Sequence, residues 1–294
     1  MTNNGVTVNA KKLKKEKQLF VIIKRLFQSP IATVGIIIFL VLALLAIFSP
    51  LMSPYNFAEI NPAVRFLGPC MAHPCGTDNL GRDILTRILY GGRYSLSVGF
   101  IAVLVSAFFG VIIGSLCGYF GGRLDNYIMR FLDIFQAIPG MLLTIAIAAA
   151  LGAGFNNTIL ALAVSHIPAM ARITRSSVMK VRQNEFIEAA EAIGCNQFTR
   201  IFIHVLPNSL APVLVQVTME IANTILILSS LSYIGLGIQP PIPEWGAMLS
   251  AGRAYIRTYP YMIIFPGLFI AITVLALNLA GDGLRDALDP RLKD

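Results

Sequence analysis

"EFIEAAEAIGCNQFTRIFIHVLPN", Glu185–Asn208, is the stretch on which the reading of this chain turns. It sets Glu185, Glu188, Glu191, Arg200, a glycine and a proline inside a sequence that is otherwise strongly apolar. Asn184 stands where it can N-cap a helix, and Glu185 and Glu188 fall in the first turns, where the helix dipole favours negative charge. Gly194 is placed to end that helix in the left-handed region. Phe186, Ala189, Ala190 and Ile193 recur at i, i+3, i+4 and i+7, which makes one apolar stripe. A second helix is expected from Asn196 towards Pro207. The residues alone leave two readings of the first helix: a small amphipathic helix for a groove in a partner protein, or a helix lying flat on a membrane.

The surrounding composition says which solvent the chain occupies. Of its 294 residues 56% are hydrophobic and 13% charged, and its mean hydropathy is +0.71. A soluble domain carries roughly 25% charged residues, so this chain has too little polar surface to cover a globule in water. A bilayer span needs about 20 mostly apolar residues. Six such segments are expected: Ile31–Leu51, Ser95–Phe120, Phe131–Leu151 with Pro139 inside it, the short Asn157–Ala171, Leu210–Leu236 and Tyr261–Gly281. Their uniform apolarity makes them helices, because barrel strands alternate over about ten residues. The fold class is therefore an all-α polytopic membrane protein. No small-x-small cleavage site follows the first apolar run, which is expected to be a retained span.

The net charge of +8 does not point to nucleic acid, because of where it sits. Lys11, Lys12, Lys14, Lys15, Lys17, Lys24 and Arg25 form a basic N-terminal tail, and the rest is scattered between apolar runs. With both termini inside, most of the 23 Lys and Arg fall on the cytoplasmic side, and only Arg65, Arg82, Arg87, Arg93, Arg253 and Arg257 fall outside. That bias gives an N-in, C-in orientation with six spans. The organisation expected is a basic cytoplasmic tail over 1–30, a first span and large extracytoplasmic loop over 31–94, a five-helix core over 95–281 with a cytoplasmic loop at 172–208, and a cytoplasmic tail over 282–294. The basic tail suits the anionic inner leaflet.

The sequence Glu188-Ala189-Ala190, three residues, Gly194, nine residues, then His204-Val205-Leu206-Pro207 resembles the EAA loop of ABC importer permeases. His204 stands where many members of that family carry an aliphatic residue, and the His-x-Leu-Pro-Asn form is that of its peptide and nickel branch. Four further blocks are similar in the same order: "GTDNLGRDILTRILYGGRYSL" (Gly76–Leu96), "GYFGGRLDNYIMRFLDI" (Gly118–Ile134), "SYIGLGIQPPIPEWGAML" (Ser232–Leu249) and "NLAGDGLRDALDPRLKD" (Asn278–Asp294). The chain is identified as resembling the C-type permease subunit of dipeptide, oligopeptide and nickel importers, binding-protein-dependent inner-membrane components with the type I importer fold.

The resemblance implies that the helix around Glu188–Gly194 couples to a separate ATPase subunit. Ala189 and Ala190 would allow close approach, Gly194 the sharp turn, and Glu188 a pairing with the ATPase; Leu206 and Pro207 complete the motif. It implies a heterodimer with a second permease subunit, two ATPase subunits carrying ATP and Mg, an extracytoplasmic substrate-binding protein, and a place in the bacterial inner membrane. This chain itself is expected to bind no cofactor. It has no Gly-x-x-x-x-Gly-Lys-[Ser/Thr] and no Gly-Lys pair, so it lacks that phosphate-cradling loop. Within the family the rival solute to a peptide is nickel or a metal chelate. Passive channels and intramembrane enzymes are the rivals from other classes. The coupling motif argues against the first, and the absence of a nucleophile or metal motif against the second.

Several residues elsewhere could carry chemistry. Gln216, Glu220 and Asn223 share one face of the fifth span, and an ionisable residue there either lines a solute path or joins a buried network. His166, beside Pro168, is expected to pack between helices, and Asp133 to pair with Arg130 or Arg123. Cys70 and Cys75 flank His73 in the outer loop. A disulfide, two free thiols or a three-ligand metal site all fit there, and we expect the disulfide and no metal. Thr77 or Asp78 is expected to cap a helix over Asn79–Tyr90. Gly110, Gly114 and Gly118 form a ridge for close helix packing, and Trp245 is expected to be an interfacial anchor.

Overall fold

Ser29 and Pro30 start the first long helix. The Ser29 hydroxyl accepts from the Ala32 amide at 3.4 Å, and Pro30 sits at the first helical position, where its missing N–H costs nothing. The structure is a computed structural model and describes residues 24–288; most of the expected basic tail and the last six residues lie outside them. Helix α1 is Pro30–Ile47, followed by a one-turn helix at Ser49–Met52. A methyl group at Gly35 would meet Leu279 Cβ at 2.6 Å, so α1 approaches the last helix closely on that side. Its other faces expose Ile31, Val34, Ile37, Leu40 and Leu44, which suits contact with lipid.

Helix α2, Ile84–Phe120, has 37 residues. At ~1.5 Å per residue it extends roughly 55 Å, more than the ~30 Å of a hydrocarbon core. No separate helix covers Asn79–Tyr90. Asp83, not Thr77 or Asp78, caps α2, with its Oδ2 accepting from the Thr86 amide at 2.7 Å. Asp78 instead turns to its own loop, accepting from the Leu80 and Arg82 amides and pairing with the Arg82 guanidinium at 2.7 Å. Arg87, one turn into α2, lies 3.8 Å from the same carboxylate. Gly121, at φ +65°, ends the helix.

The segment expected as one span over Phe131–Leu151 is broken. Helix α3, Gly122–Gln136, and helix α4, Gly140–Leu151, meet at 85°. Pro139 has no amide hydrogen to donate and disfavours helical geometry in the residue before it, so the axis breaks there. Amphipathic α3 is tied to the next helix by Asp125–Arg175 at 2.5 Å and Asp133–Arg172 at 2.5 Å. Asp133 therefore reaches across to a neighbouring helix and not to Arg123 or Arg130.

Helix α5, Phe155–Arg182, continues past the expected end at Ala171 into the stretch taken for a loop. The reason is tertiary: the glycine ridge of α2 receives it. A methyl group at Gly114 would lie 2.6 Å from Thr174 Cβ, and one at Gly118 2.7 Å from the Arg175 carbonyl. Polar Thr174 and Ser177 are thus buried by packing that hydropathy does not see. Helix α6, Glu185–Ala192, follows, then a turn at Gln197–Thr199, a π-helical segment at Arg200–Val205, and helix α7, Leu206–Tyr233. Helix α8, Trp245–Gly252, and helix α9, Tyr261–Leu288, complete the described residues.

Four of these segments are long and apolar enough to cross a bilayer: Pro30–Ile47, Ile84–Phe120, Gln197–Tyr233 and Tyr261–Leu288, with the bent α3–α4 pair as a fifth. Helix α5 has the length, but its Asn, Ser, His, Arg and Lys residues dilute it below that apolarity. The main core joins α2, α7, α8 and α9 through Ile88, Val103, Ile225, Trp245 and Ile270. Trp245 is 2% exposed and donates to the Ile88 carbonyl at 2.9 Å, so it is a core residue and not an interfacial anchor. Beside it Glu244 is fully buried and caps α8 through the Gly246 and Ala247 amides at 2.9 and 2.8 Å. Burial pushes its carboxyl up from the ordinary range, against the pull of those hydrogen bonds.

Candidate functional site

The stretch Glu185–Asn208 folds as a bracket on one end of the bundle. Asn184 occupies the N-cap position with extended backbone, but its side chain makes no capping bond. The far end of α6 closes as expected: Gly194 has φ +79°, its amide donates to the Glu191 carbonyl at 2.9 Å, and the Cys195 amide reaches Ala190 at 3.0 Å. These are the two bonds of a Schellman motif. Asn196 then caps the following turn through the Thr199 amide at 2.8 Å. Pro207 has no N–H, and its ring would crowd the Ile203 carbonyl in a regular helix. The wider π-helical turn at Arg200–Val205 stands just before it.

Of the apolar stripe only Ala190 is buried, and it is Ile187, outside the stripe, that joins it on the inner side. Ile187 and Ala190 are buried, and Ile187 packs with Tyr119, Val178, Ile201 and Val205. Phe186 and Ile193 turn outward, 45% and 84% exposed, with Ala189 also exposed between them. Phe198 at 76% and Phe202 at 60% continue this apolar surface onto the next turns. One large buried side chain such as Ile187 contributes about 1.5–3 kcal/mol. That small anchor holds a helix whose other side has no partner among the described residues.

Glu188 lies over a cavity of about 640 Å³ between α6 and the ends of α2 and α5, lined also by Arg182, Gln183, Glu191 and Arg200. Arg200, expected only as one of the cytoplasmic basic residues, is a structural pin. Its guanidinium meets Glu191 at 2.6 Å, while its Nε is buried with no hydrogen-bond partner among the described residues. Arg182 stacks over Tyr119, 5.6 Å from the ring centroid.

The second expected group, on α7, comes together and gains a member. Gln216 Nε2 donates to Glu220 Oε1 at 2.9 Å and Asn223 Nδ2 to Oε2 at 3.4 Å. His166 of α5 brings Nε2 to 3.5 Å from Glu220 Oε2. Its neighbour Pro168 had suggested packing alone. The one available signal was that histidine is costly in an apolar helix unless it has a polar partner.

The outer-loop cysteines do not pair. Cys70 is exposed and Cys75 buried, and both are free thiols. Burial, with the Asp83 carboxylate nearby, pushes the Cys75 thiol up to about 11. His73 is committed elsewhere: its Nδ1 meets Asp83 at 2.9 Å and its ring stacks on Tyr55. Among the described residues no group of His, Cys, Asp and Glu is arranged to hold a metal.

Residues 110–294 match the family described as binding-protein-dependent transport system inner membrane component. Residues 18–69 match the N-terminal TM domain of oligopeptide transport permease C. The chain is 47% identical over 270 residues to the dipeptide transport system permease protein DppC of Alkalihalophilus pseudofirmus, covering 92% of this chain and 89% of that protein. It is 43% identical over 271 residues to the glutathione transport system permease protein GsiD of Pectobacterium atrosepticum, covering 92% and 90%. Its fold is like that of a chain in the inward-facing MetNI methionine ABC transporter, with TM-score 0.58, 18% identity, and 69% of this chain and 96% of that one covered.

Proposed function

We propose that this chain, which belongs to the family of binding-protein-dependent transport system inner membrane components, forms one half of a permease that imports di- or oligopeptides across a bacterial inner membrane. The names of its relatives, dipeptide and glutathione permeases, favour peptide over nickel as the solute. A sister permease supplies the other half of the path, an extracytoplasmic binding protein delivers the peptide, and two ATPase subunits bind ATP and Mg. The chain spans the bilayer six times with both termini inside, α3–α4 counting as one broken span and α5 as another. It performs no covalent chemistry of its own.

The observation that carries this reading is the divided face of α6. Ile187 and Ala190 lock the helix to the bundle, while Phe186, Ala189 and Ile193 stand outward as an apolar contact for the ATPase. ATP-driven closure of the ATPase pair would push on that face. The Glu191–Arg200 pair and the packing of Ile201 and Val205 would carry the push into α7. Alternating access follows if α7 lines the path, with Gln216, Glu220 and Asn223 facing it. The test is a reconstituted complex carrying Glu188→Lys plus Gly194→Asp. We expect it to assemble but to lose ATP-dependent uptake and binding-protein-stimulated hydrolysis. Retention of both activities would overturn the coupling role.

A further inference from the structure

We infer that the cluster formed by Glu220, Gln216, Asn223 and His166 is a station for a cationic amine, namely the α-ammonium group of a peptide in transit. The inference rests on the reading of this chain as a peptide permease and names what part of the solute α7 would hold.

The surroundings of one carboxylate carry it. An ionised carboxylate only accepts, so Gln216 and Asn223 must both turn their –NH2 groups towards Glu220, as their contacts at 2.9 and 3.4 Å record. Their carbonyl oxygens then point away, and no donor reaches either of them among the described residues. His166 places Nε2 3.5 Å from the same carboxylate, and its side chain is 10% exposed. With the proton on Nε2, Nδ1 is a lone pair, and Nδ1 is buried with no hydrogen-bond partner among the described residues. Each amide keeps a second N–H as well as its carbonyl oxygen, but at the centre of the cluster stands a carboxylate, which when ionised only accepts.

Charge points the same way. Among the described residues Glu220 makes ion-pair geometry with His166 alone, and no lysine or arginine reaches it. A carboxylate within an apolar helix is costly without a counter-charge. The cluster is not sealed, since Asn223 is exposed at its edge. A group with several N–H donors and a positive charge supplies the counter-charge and the donors that Glu220 lacks, and an ammonium ion is such a group. A solute carboxylate or phosphate would meet the like charge of Glu220 there.

The test uses the whole permease–ATPase complex in nanodiscs without the binding protein, so that selection by that protein cannot intervene. Saturation-transfer NMR reads weak binding of Ala-Ala and of N-acetyl-Ala-Ala. We expect Ala-Ala to receive at least fivefold more saturation than the acetylated peptide, and Glu220→Gln to bring the two to one level. Asn223→Asp, which adds acceptor capacity at the open edge, should raise the Ala-Ala signal; it serves as the second variant if Glu220→Gln fails to assemble. Equal saturation by both peptides, no saturation by either, or an Ala-Ala signal unchanged in Glu220→Gln would overturn the inference. Uptake of Ala-Ala by the complete wild-type transporter is measured in parallel. Its absence would sink the peptide-import reading, whereas uptake without amine-dependent saturation would sink the station alone.

Discussion

The outer loop and the inner bracket are built on opposite plans. In the outer loop the buried charges have partners within the chain: Asp78 takes Arg82 at 2.7 Å, His73 takes Asp83 at 2.9 Å, and Asp83 also caps α2. At the inner end Phe186, Ile193, Phe198 and Phe202 are exposed, and the Arg200 Nε is buried without a partner among the described residues. The difference teaches where this chain is finished. The outer loop pairs its buried charges internally, although Asn79 Oδ1 is buried with no hydrogen-bond partner among the described residues. The inner bracket leaves a run of apolar side chains that no described residue covers, as expected of a binding surface.

Substitutions should separate the two plans. The largest effect on stability is expected at Asp78→Ala, which leaves Arg82 and Arg87 buried without their carboxylate. Breaking a buried pair from one side costs roughly 3–5 kcal/mol. A thermal melt of the purified complex should fall accordingly, and an unchanged melting point would show that the outer loop is not held by its charges. Next comes Gly114→Leu, which forces α2 and α5 apart; overpacking of this kind costs about 1–3 kcal/mol. Its expected signature is loss of assembled complex on size exclusion.

Gly194→Val places a β-branched residue at φ +79°, and left-handed backbone costs a non-glycine residue roughly 1–2 kcal/mol. The stability loss should be modest and the loss of stimulated ATP hydrolysis large, a split that an outer-loop variant would not show. Ile193→Ser should change stability by no more than about 0.5 kcal/mol, as for an exposed residue. It should nonetheless weaken retention of the ATPase subunits on affinity purification; full retention would mean that the exposed face of α6 is not the contact. The smallest effect is chemical. At about pH 8 a thiol reagent should label exposed Cys70 promptly and buried Cys75 slowly, because the thiolate is the reactive form. Equal labelling would show that the outer loop is looser than its hydrogen bonds imply.

Much of this was legible from residue order alone. Apolar runs mark the helices because each span must bury or expose its residues to one solvent and satisfy its backbone internally. Gly194 declared the end of α6, since only glycine takes a left-handed turn freely. The EAA spacing located the bracket, and the shared face of Gln216, Glu220 and Asn223 followed from helical periodicity. What failed depended on partners distant in sequence. Asp133 chose Arg172 over its local neighbours, and Trp245 went to the core because Gly91 and Gly92 make room beside it. The two cysteines fell in different surroundings, Cys70 exposed and Cys75 buried, which their spacing in the sequence does not reveal.

The sequence by itself determined a helical membrane protein, the ends of its short bracket helix, and the family to which its motifs belong. All of these rest on local rules: hydropathy over a window, turn chemistry at a glycine, spacing along one helix. The tertiary structure alone decided that α5 runs to Arg182, that α6 buries Ile187 and Ala190 and turns Phe186, Ala189 and Ile193 outward, and that His166 joins Glu220. Those outcomes turn on which surface of a second helix is close enough to cover a side chain, and no window of one chain segment contains that information.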